Sequence, residues 1–364
     1  MVLNRLILGN FKNYTEADIE LCGNVNCFVG NNGAGKTNLL DAVYYLSFCK
    51  SYFNPVDSQN IRQGADFFAV HGHYGDVVVS CIVRQGQGKQ MKWNKKQYKT
   101  LSEHIGRIPL VMVSPQDQML ITGGSDIRRK FVDGVISQTD RAYLDHLLQY
   151  TKALEQRNRL LKQMWEDRLW DESIIAVWDE QLCRHGEPIY ECRRRFLEDF
   201  QPLFDEYYHY IAGADEPGSI VYSHVESPLD LQLIDCRQND RYSQFTNAGP
   251  HKDDFLFMLD GAMSVKKYGS QGQQKSFALA LKLAQFQYIL NHCGQKPILL
   301  LDDIFDKLDM LRVKHLIALV AGDRFGQVLL TDTQPGRVQA IFDEMPQLEH
   351  RIFKVEKGGV YAGR

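Results

Sequence analysis

Residues 30–37 read GNNGAGKT, the G-x-x-x-x-G-K-T spacing of a phosphate-binding loop. Backbone N–H groups of Gly30, Asn31, Asn32, Gly33, Ala34 and Gly35 can converge on one anion, because glycines let the chain approach it closely. Lys36 would reach the β- and γ-phosphates of a nucleotide such as ATP, neutralising charge in binding and in the reaction. The Thr37 hydroxyl would ligate Mg²⁺, and Asn38 completes the stretch in the first helical turn. A second chemical signal is PILLLDD at 297–303, an apolar strand tipped by two acids. Asp302 would hold Mg²⁺ directly or through water. Asp303 would orient or deprotonate the water attacking the γ-phosphate, because in-line attack needs an acceptor on the far side. A third is SQGQQKS at 270–276, opening a helix that runs to about Asn291. The Ser270 hydroxyl, the N–H groups around Gly272 and Gln273 and the helix dipole make a second anion site. The same residues also read as an ordinary helix cap with polar decoration.

These residues need elements to position them. VLNRLIL and NVNCFVG alternate as strands do, and the second runs directly into the glycine-rich loop. NLLDAVYYLSF follows the loop as a helix, and residues 67–93 carry β-branched and aromatic runs broken by glycine, an antiparallel meander. From Ser125 to about Gly213 the apolar residues recur at three- and four-residue spacing, with Pro188 and the turn residues Gly213 to Gly218 as punctuation. Strands return after Ile220. The chain then closes in the order helix, strand PILLLDD, helix, strand QVLLTDT, helix, strand RIFKVE, which describes a largely parallel sheet. The expected organisation is an α/β nucleotide-binding lobe from residues 1–115 and 245–364, with a mainly helical lobe, 116–244, inserted.

The chain has 364 residues, 44% hydrophobic and 24% charged, enough for a sizeable core. No apolar run approaches the roughly 20 residues that span a bilayer, and MVLNRLILGNFKNY lacks the features of a signal peptide, so a cytoplasmic location is expected. Eight scattered cysteines form no C-x-x-C pair and read as reduced thiols. The net charge of −3 gives no global sign of nucleic-acid binding, so a DNA surface must be local. KQMKWNKKQYKT (89–100) is the candidate: Lys89, Lys92, Lys95 and Lys96 for phosphates, Trp93 and Tyr98 for stacking. A lysine-protected hairpin edge accounts for it equally well. IRRK (127–130) and RRR (193–195) fall on predicted helices and read as solvated faces.

The combination of phosphate loop, S-x-G-Q helix start, acid-tipped strand and a D-x-x-D turn, Asp306 to Asp309, is the pattern of ABC-type ATPases. Beyond these motifs, LILGNFKNY, GNNGAGKTNLLDAVYYLS, CKSYF, SPQDQMLITGGSDIRRKFVD, AGPHKDDF and YGSQGQQKSFALALKLAQ resemble the RecF family of bacterial recombination mediators over residues 2 to 355. The resemblance implies an ATP- and Mg²⁺-dependent DNA-binding protein with a head like those of the structural-maintenance-of-chromosomes ATPases. It implies dimerisation with ATP on single- and double-stranded DNA at gap junctions, and action with RecR and RecO in directing RecA. By position it assigns Lys36 and Thr37 to the loop, Asp302 and Asp303 to metal and catalysis, and Ser270 with Gly272 to ATP held by the other protomer. Gln116 would be the lobe-coupling glutamine, although SPQDQ also offers Gln118. Where many ABC transporters carry a histidine this chain has Thr331 to Thr333, so a hydroxyl or Asp332 would sense the γ-phosphate and hydrolysis would be slow. His251 would make hydrogen bonds joining the two lobes, with Asp253 and Asp254 beside it. The competing reading is the ATPase subunit of an ABC membrane transporter, disfavoured by the missing histidine, the GPHKDD block and the discontinuous lobe. A chromosome-tethering head is disfavoured by the absence of long heptad arms.

Overall fold

The computed structural model describes residues 1–213, 217–304, 325–345 and 347–363, which form two compact units: Met1–Asp117 with Gln285–Arg364, and Gln118–Ala284. The Asp306 to Asp309 turn lies outside the described residues.

Among the described residues, the first unit holds two six-stranded sheets. One is antiparallel, in the order β2 (Tyr14–Glu20), β1 (Arg5–Phe11), β4 (Phe67–Tyr74), β5 (Val77–Arg84), β6 (Gln90–Trp93), β7 (Lys96–Gln97). β4 alternates half-buried and buried residues along its length, as a strand with one face on a core must. The other sheet runs β15 (Gly359–Ala362), β14 (His350–Glu356), β3 (Val25–Val29), β13 (Val328–Asp332), β12 (Ile298–Leu301), β8 (Leu110–Val113), all parallel except β15. β3, β12 and β13 are buried at every residue, as inner strands of a parallel sheet are; β12 is wholly apolar, while β3 carries the buried Asn26 and β13 ends in the buried Thr331 and Asp332. Helix α1 (Lys36–Phe48) touches strands of both sheets and shares one hydrophobic core with them, burying Leu39, Leu40, Val43, Tyr45 and Leu46.

The second unit contains α2 (Gln118–Thr122), α3 (Ser125–Thr139), α4 (Arg141–Glu166), α5 (Glu172–Ala212) and α6 (Leu229–Ser243). A small antiparallel sheet follows, β9 (Gly218–Ser223), β10 (Asp254–Leu259) and β11 (Met263–Ser264), then the turn α7 (Val265–Tyr268) and α8 (Gln271–Cys293), whose last residues belong to the first unit. α9 (Pro335–Asp343) completes the described helices.

Two expectations change here. Pro188 does not break the chain; it and Pro202 lie inside the 41-residue α5. Each proline removes a backbone bond, but a stripe including Leu182, Ile189, Phe196, Phe200 and Phe204 is buried along the helix, and that packing holds it together. The compact division also returns to the first unit at Gln285, not near 245. β10 pairs with β9 along its whole length, from Asp254↔Ser223 to Leu259↔Gly218, and the Phe277 ring lies tilted against Phe204 with centroids 4.5 Å apart, so residues 254–277 pack with the helices. All eight cysteines are free thiols.

Candidate nucleotide-binding site

β3 and α1 meet at the glycine-rich loop, and the loop's shape depends on its glycines. A Cβ at Gly30 would sit 2.3 Å from the Val355 carbonyl oxygen. Gly35, at φ 114°, caps α1 in a conformation that L side chains rarely adopt, and a Cβ there would meet Asn13 Nδ2 at 2.4 Å. Asn13 and Tyr14, at the β1–β2 turn, brace the loop. Asn13 Nδ2 donates to the Ala34 carbonyl (3.2 Å), Asn38 Nδ2 donates to Asn13 Oδ1 (2.7 Å) and the Tyr14 hydroxyl donates to the Gly35 carbonyl (3.1 Å). Lys36 is buried, and its ammonium donates to the carbonyls of Gly30 (2.7 Å) and Asn31 (3.0 Å).

Because β12 and β3 flank β13 in a parallel sheet, the acid-tipped strand ends beside the loop. Thr37 Oγ1 donates to the Asp302 carboxylate at 2.9 and 3.1 Å, joining residues 265 positions apart. Thr331 Oγ1 also donates to Asp302 (2.9 Å) and accepts from the Asp303 N–H (2.9 Å). Burial pushes the Asp302 carboxyl above its usual range, the Thr331 and Thr37 hydroxyls pull it back, and Asp303 adds a further push upward. A cation would oppose that push by favouring the charged form. Thr37 and Asp302 place hard oxygens of the kind a magnesium ion takes side by side, and would be the residues to hold one. Asp303 turns sharply, at φ 49°.

Asp332 is not placed as a phosphate sensor. Arg337 grips its carboxylate through Nε (2.9 Å) and a terminal nitrogen (2.6 Å), and the Gln334 N–H donates to it (2.8 Å). Its carbonyl accepts from the Gly30 N–H at 3.2 Å, so it anchors the base of the loop. Two hydroxyls flank Asp332: that of Thr331 is already shared between Asp302 and Asp303, and that of Thr333 follows the end of β13. Gln116 lies just past β8, whose Val113 carbonyl accepts from the Asp302 N–H (2.8 Å); its side chain is exposed. The amide of Gln118, the other candidate, donates to Gln274 Oε1 (2.7 Å) within the second unit.

At the head of α8, the Gln273 N–H donates to Ser270 Oγ (3.2 Å) while Gln273 Oε1 accepts from the Ser270 N–H (2.8 Å), a reciprocal capping box. Gln274 donates to the carbonyls of Gly269 (3.2 Å) and Val265 (3.3 Å). Ser270 is exposed, and a Cβ at Gly272 would meet only Ser270 Oγ, at 3.8 Å, among the described residues.

The model of the RecF/RecN/SMC N-terminal domain family matches residues 2–356. A DNA replication and repair protein RecF of Phocaeicola vulgatus is 48% identical over 99% of this chain and 98% of its own length. The chain belongs to the RecF family. A relative of the same name from Flavobacterium johnsoniae is 45% identical over 98% of this chain and all of its own. The solved structure of a recombination mediator protein RecF with ATP, in the RecFOR pathway, superposes at a TM-score of 0.89 with 29% identity, covering all of this chain and 98% of that one. An Smc head bound to the C-terminal winged-helix domain of ScpA shares the fold at a TM-score of 0.57 and 16% identity, covering all of this chain and 97% of that one. RecF membership disfavours the transporter-subunit reading. No helix among the described residues is long and apolar enough to cross a membrane.

In this RecF-family chain the GPHKDD block packs inside the second unit. His251 Nδ1 lies 2.7 Å from the Tyr150 hydroxyl and Nε2 lies 3.0 Å from the Thr246 carbonyl, so both of these partners belong to the unit that holds the histidine, not to two lobes. With Nε2 donating to the carbonyl, Nδ1 accepts from Tyr150, and burial pulls the imidazole pKa down to about 4. Asp253 accepts from Tyr222 (2.5 Å) and Arg193 (3.1 Å), and Asp254 binds Arg128 through two bonds (2.7 and 2.8 Å). Arg128 and Arg193 are therefore buried ion-pair partners, where IRRK and RRR had read as solvated faces. A charge run shows helix register but not which member turns inward; here Arg128 and Arg193 meet acids from other segments, while Lys130, Arg194 and Arg195 pair with acids one turn away on their own helices.

The lysine-rich segment divides. Lys89 turns inward, pairing with Asp57 (2.9 Å), donating to the Cys49 carbonyl and lying over the Tyr45 ring. Lys95 and Lys96 are exposed at the tight β6–β7 turn, and Lys92 is half-buried. The rings of Trp93 and Tyr98 carry the Arg107 guanidinium at 5.3 and 5.5 Å, which covers one stacking face of each.

Proposed function

We propose that this chain is an ATP-dependent DNA-binding protein of recombinational repair and replication restart, in which nucleotide controls self-association. The observation that carries the nucleotide reading is the 2.9 Å contact of Thr37 with Asp302 beside the buried Lys36. A loop lysine, a metal-binding hydroxyl and a strand-end acid meet in the arrangement that phosphoryl chemistry requires. Gly30 to Asn38 would hold the phosphates, with Lys36 exchanging its carbonyl partners for phosphate oxygens. Thr37 and Asp302 would hold Mg²⁺, which supplies charge neutralisation when bound. Asp303 would accept the proton of the attacking water, and Gln116 would report on the site from the end of β8. Thr331 to Thr333 stand where many ABC transporters carry a histidine, and slow hydrolysis fits a switch better than a motor.

The head of α8 supports self-association. Ser270 Oγ accepts from its own helix, which leaves the hydroxyl proton to donate outward. Gly272 has no packing reason within the described chain, although glycine in a helix costs about 1 kcal/mol relative to alanine. Both facts fit an anion approaching from a second copy of the chain, with Ser270, Gly272 and Gln273 contacting its nucleotide. On a twofold axis two such sites form together. DNA, single- and double-stranded and at gaps, together with RecR, RecO and RecA, are the partners that family membership brings to this reading; exposed Lys95 and Lys96, with Lys92, are the local candidates for phosphate contact.

The test is fluorescence anisotropy on gapped, single- and double-stranded DNA with and without ATP, alongside binding of a fluorescent ATP analogue. Lys36→Ala should abolish analogue binding and the ATP-dependent part of DNA binding. Undiminished analogue binding would overturn the site assignment, and DNA binding indifferent to ATP would overturn the switch.

A further inference from the structure

Two imidazoles in the second unit take no part in the nucleotide site. His146 on α4 and His185 on α5 face each other with their Nδ1 atoms 3.1 Å apart and their ring centroids 5.3 Å apart. We propose that His146 and His185 form a two-imidazole site for a divalent transition-metal ion, of the zinc, copper or nickel class, that bridges α4 and α5.

The geometry matches a shared ion. Zinc sits about 2.0 to 2.1 Å from an imidazole nitrogen, so two such ligands stand about 2.9 Å apart at a right angle and about 3.3 Å apart at the tetrahedral angle. The observed separation falls inside that interval. The supports are rigid: α4 and α5 are long helices packed along one another. Both side chains are half-buried, so the ion has an entry path and water can complete its shell. No cluster of three or more His, Cys, Asp or Glu side chains is found among the described residues, so the protein supplies two ligands and the affinity is modest.

Without metal, one Nδ1–H donates to the other Nδ1. With metal, both Nδ1 lone pairs bind the ion and that proton transfers, through solvent, to Nε2 of the same ring. The tautomer changes and no net proton is released from a neutral pair. Imidazole ligands and a compact site select the borderline-soft ions over Mg²⁺, which prefers oxygen.

The full-length protein is titrated with Zn²⁺ against a chromophoric chelator, and Cu²⁺ is bound for electron paramagnetic resonance. One zinc should bind in the presence of excess Mg²⁺, and the copper signal should show splitting from two equatorial nitrogens. His146→Gln and His185→Gln should each weaken zinc at least about tenfold and leave one nitrogen or none in the spectrum. Glutamine preserves helix propensity, and circular dichroism melts confirm folding. Zinc binding unchanged in both variants, or a copper spectrum without a two-nitrogen pattern, overturns the proposal.

Discussion

Ser270 illustrates how one side chain can serve two partners by dividing its hydrogen-bonding capacity. Its oxygen accepts from the Gln273 N–H, and its proton remains a donor. Two substitutions separate these roles. Ser270→Ala removes both, weakening the helix start by about 1 kcal/mol along with any outward contact. Ser270→Asp keeps the acceptor and so the cap, but places a negative charge where a donor stood. The expected result for Ser270→Asp is normal binding of a fluorescent ATP analogue to the monomer and no ATP-driven dimer by light scattering; a dimer of unchanged stability would remove Ser270 from the interface. At Asp303 the expectation concerns rate. Asp303→Asn keeps the shape and loses the proton acceptor, so phosphate release should slow by about a hundredfold or more while the ATP-bound dimer persists longer. Turnover at the original rate would assign the acceptor role to another group.

Among the elements, α8 offers the sharpest test. Gly272→Ala should leave the chain folded, and stabilise it by about 0.5 to 1 kcal/mol through the helix, yet weaken ATP-dependent self-association. Thermal melts and light scattering on one sample read both effects, and a dimer as strong as before would mean that nothing approaches the Gly272 backbone closely. The same helix shows what periodicity can and cannot convey. GNNGAGKT between strand and helix, and PILLLDD as a buried strand, were legible because local spacing determines them. Gln273 and Gln274 looked like ornament, since a capping box and a bond to Gln118 depend on where the backbone turns and on a residue 156 positions away. Asn13 and Tyr14 carried no local signal at all; they matter because the β1–β2 turn comes up against the loop. Pro188 misled for the opposite reason: a strong local breaker was overruled by long-range packing along α5. Arg128 and Arg193 were hidden in the same way, since a basic run on a helix looks alike whether or not Asp254 and Asp253 wait opposite it.

Over the whole molecule, buried histidines tie stability to pH. His104 in the first unit lies with Nε2 2.6 Å from the Leu46 carbonyl and Nδ1 3.1 Å from the Tyr98 hydroxyl, and burial pulls its pKa down to about 4, as it does for His251 in the second. Each stays neutral in the fold while the unfolded chain takes up a proton near pH 6.5. The stability is fully present above that value and is lost as pH falls from about 6.5 toward 4, roughly 3 kcal/mol for each histidine. Asp253, its pKa pushed up to about 6 by burial, acts in the opposite sense and partly offsets the loss in the second unit. Denaturant melts across this range should show the decline, and His104→Gln should flatten it by about one proton's worth of slope. A pH profile unchanged by His104→Gln would mean that this imidazole titrates normally in the fold.

Lys36 donates to two carbonyls of its own loop, those of Gly30 and Asn31. On the proposed reading its ammonium would trade these acceptors for phosphate oxygens instead of acquiring partners anew. The two carbonyls would then compete with the nucleotide for the same ammonium, which would make those backbone groups part of the release clock.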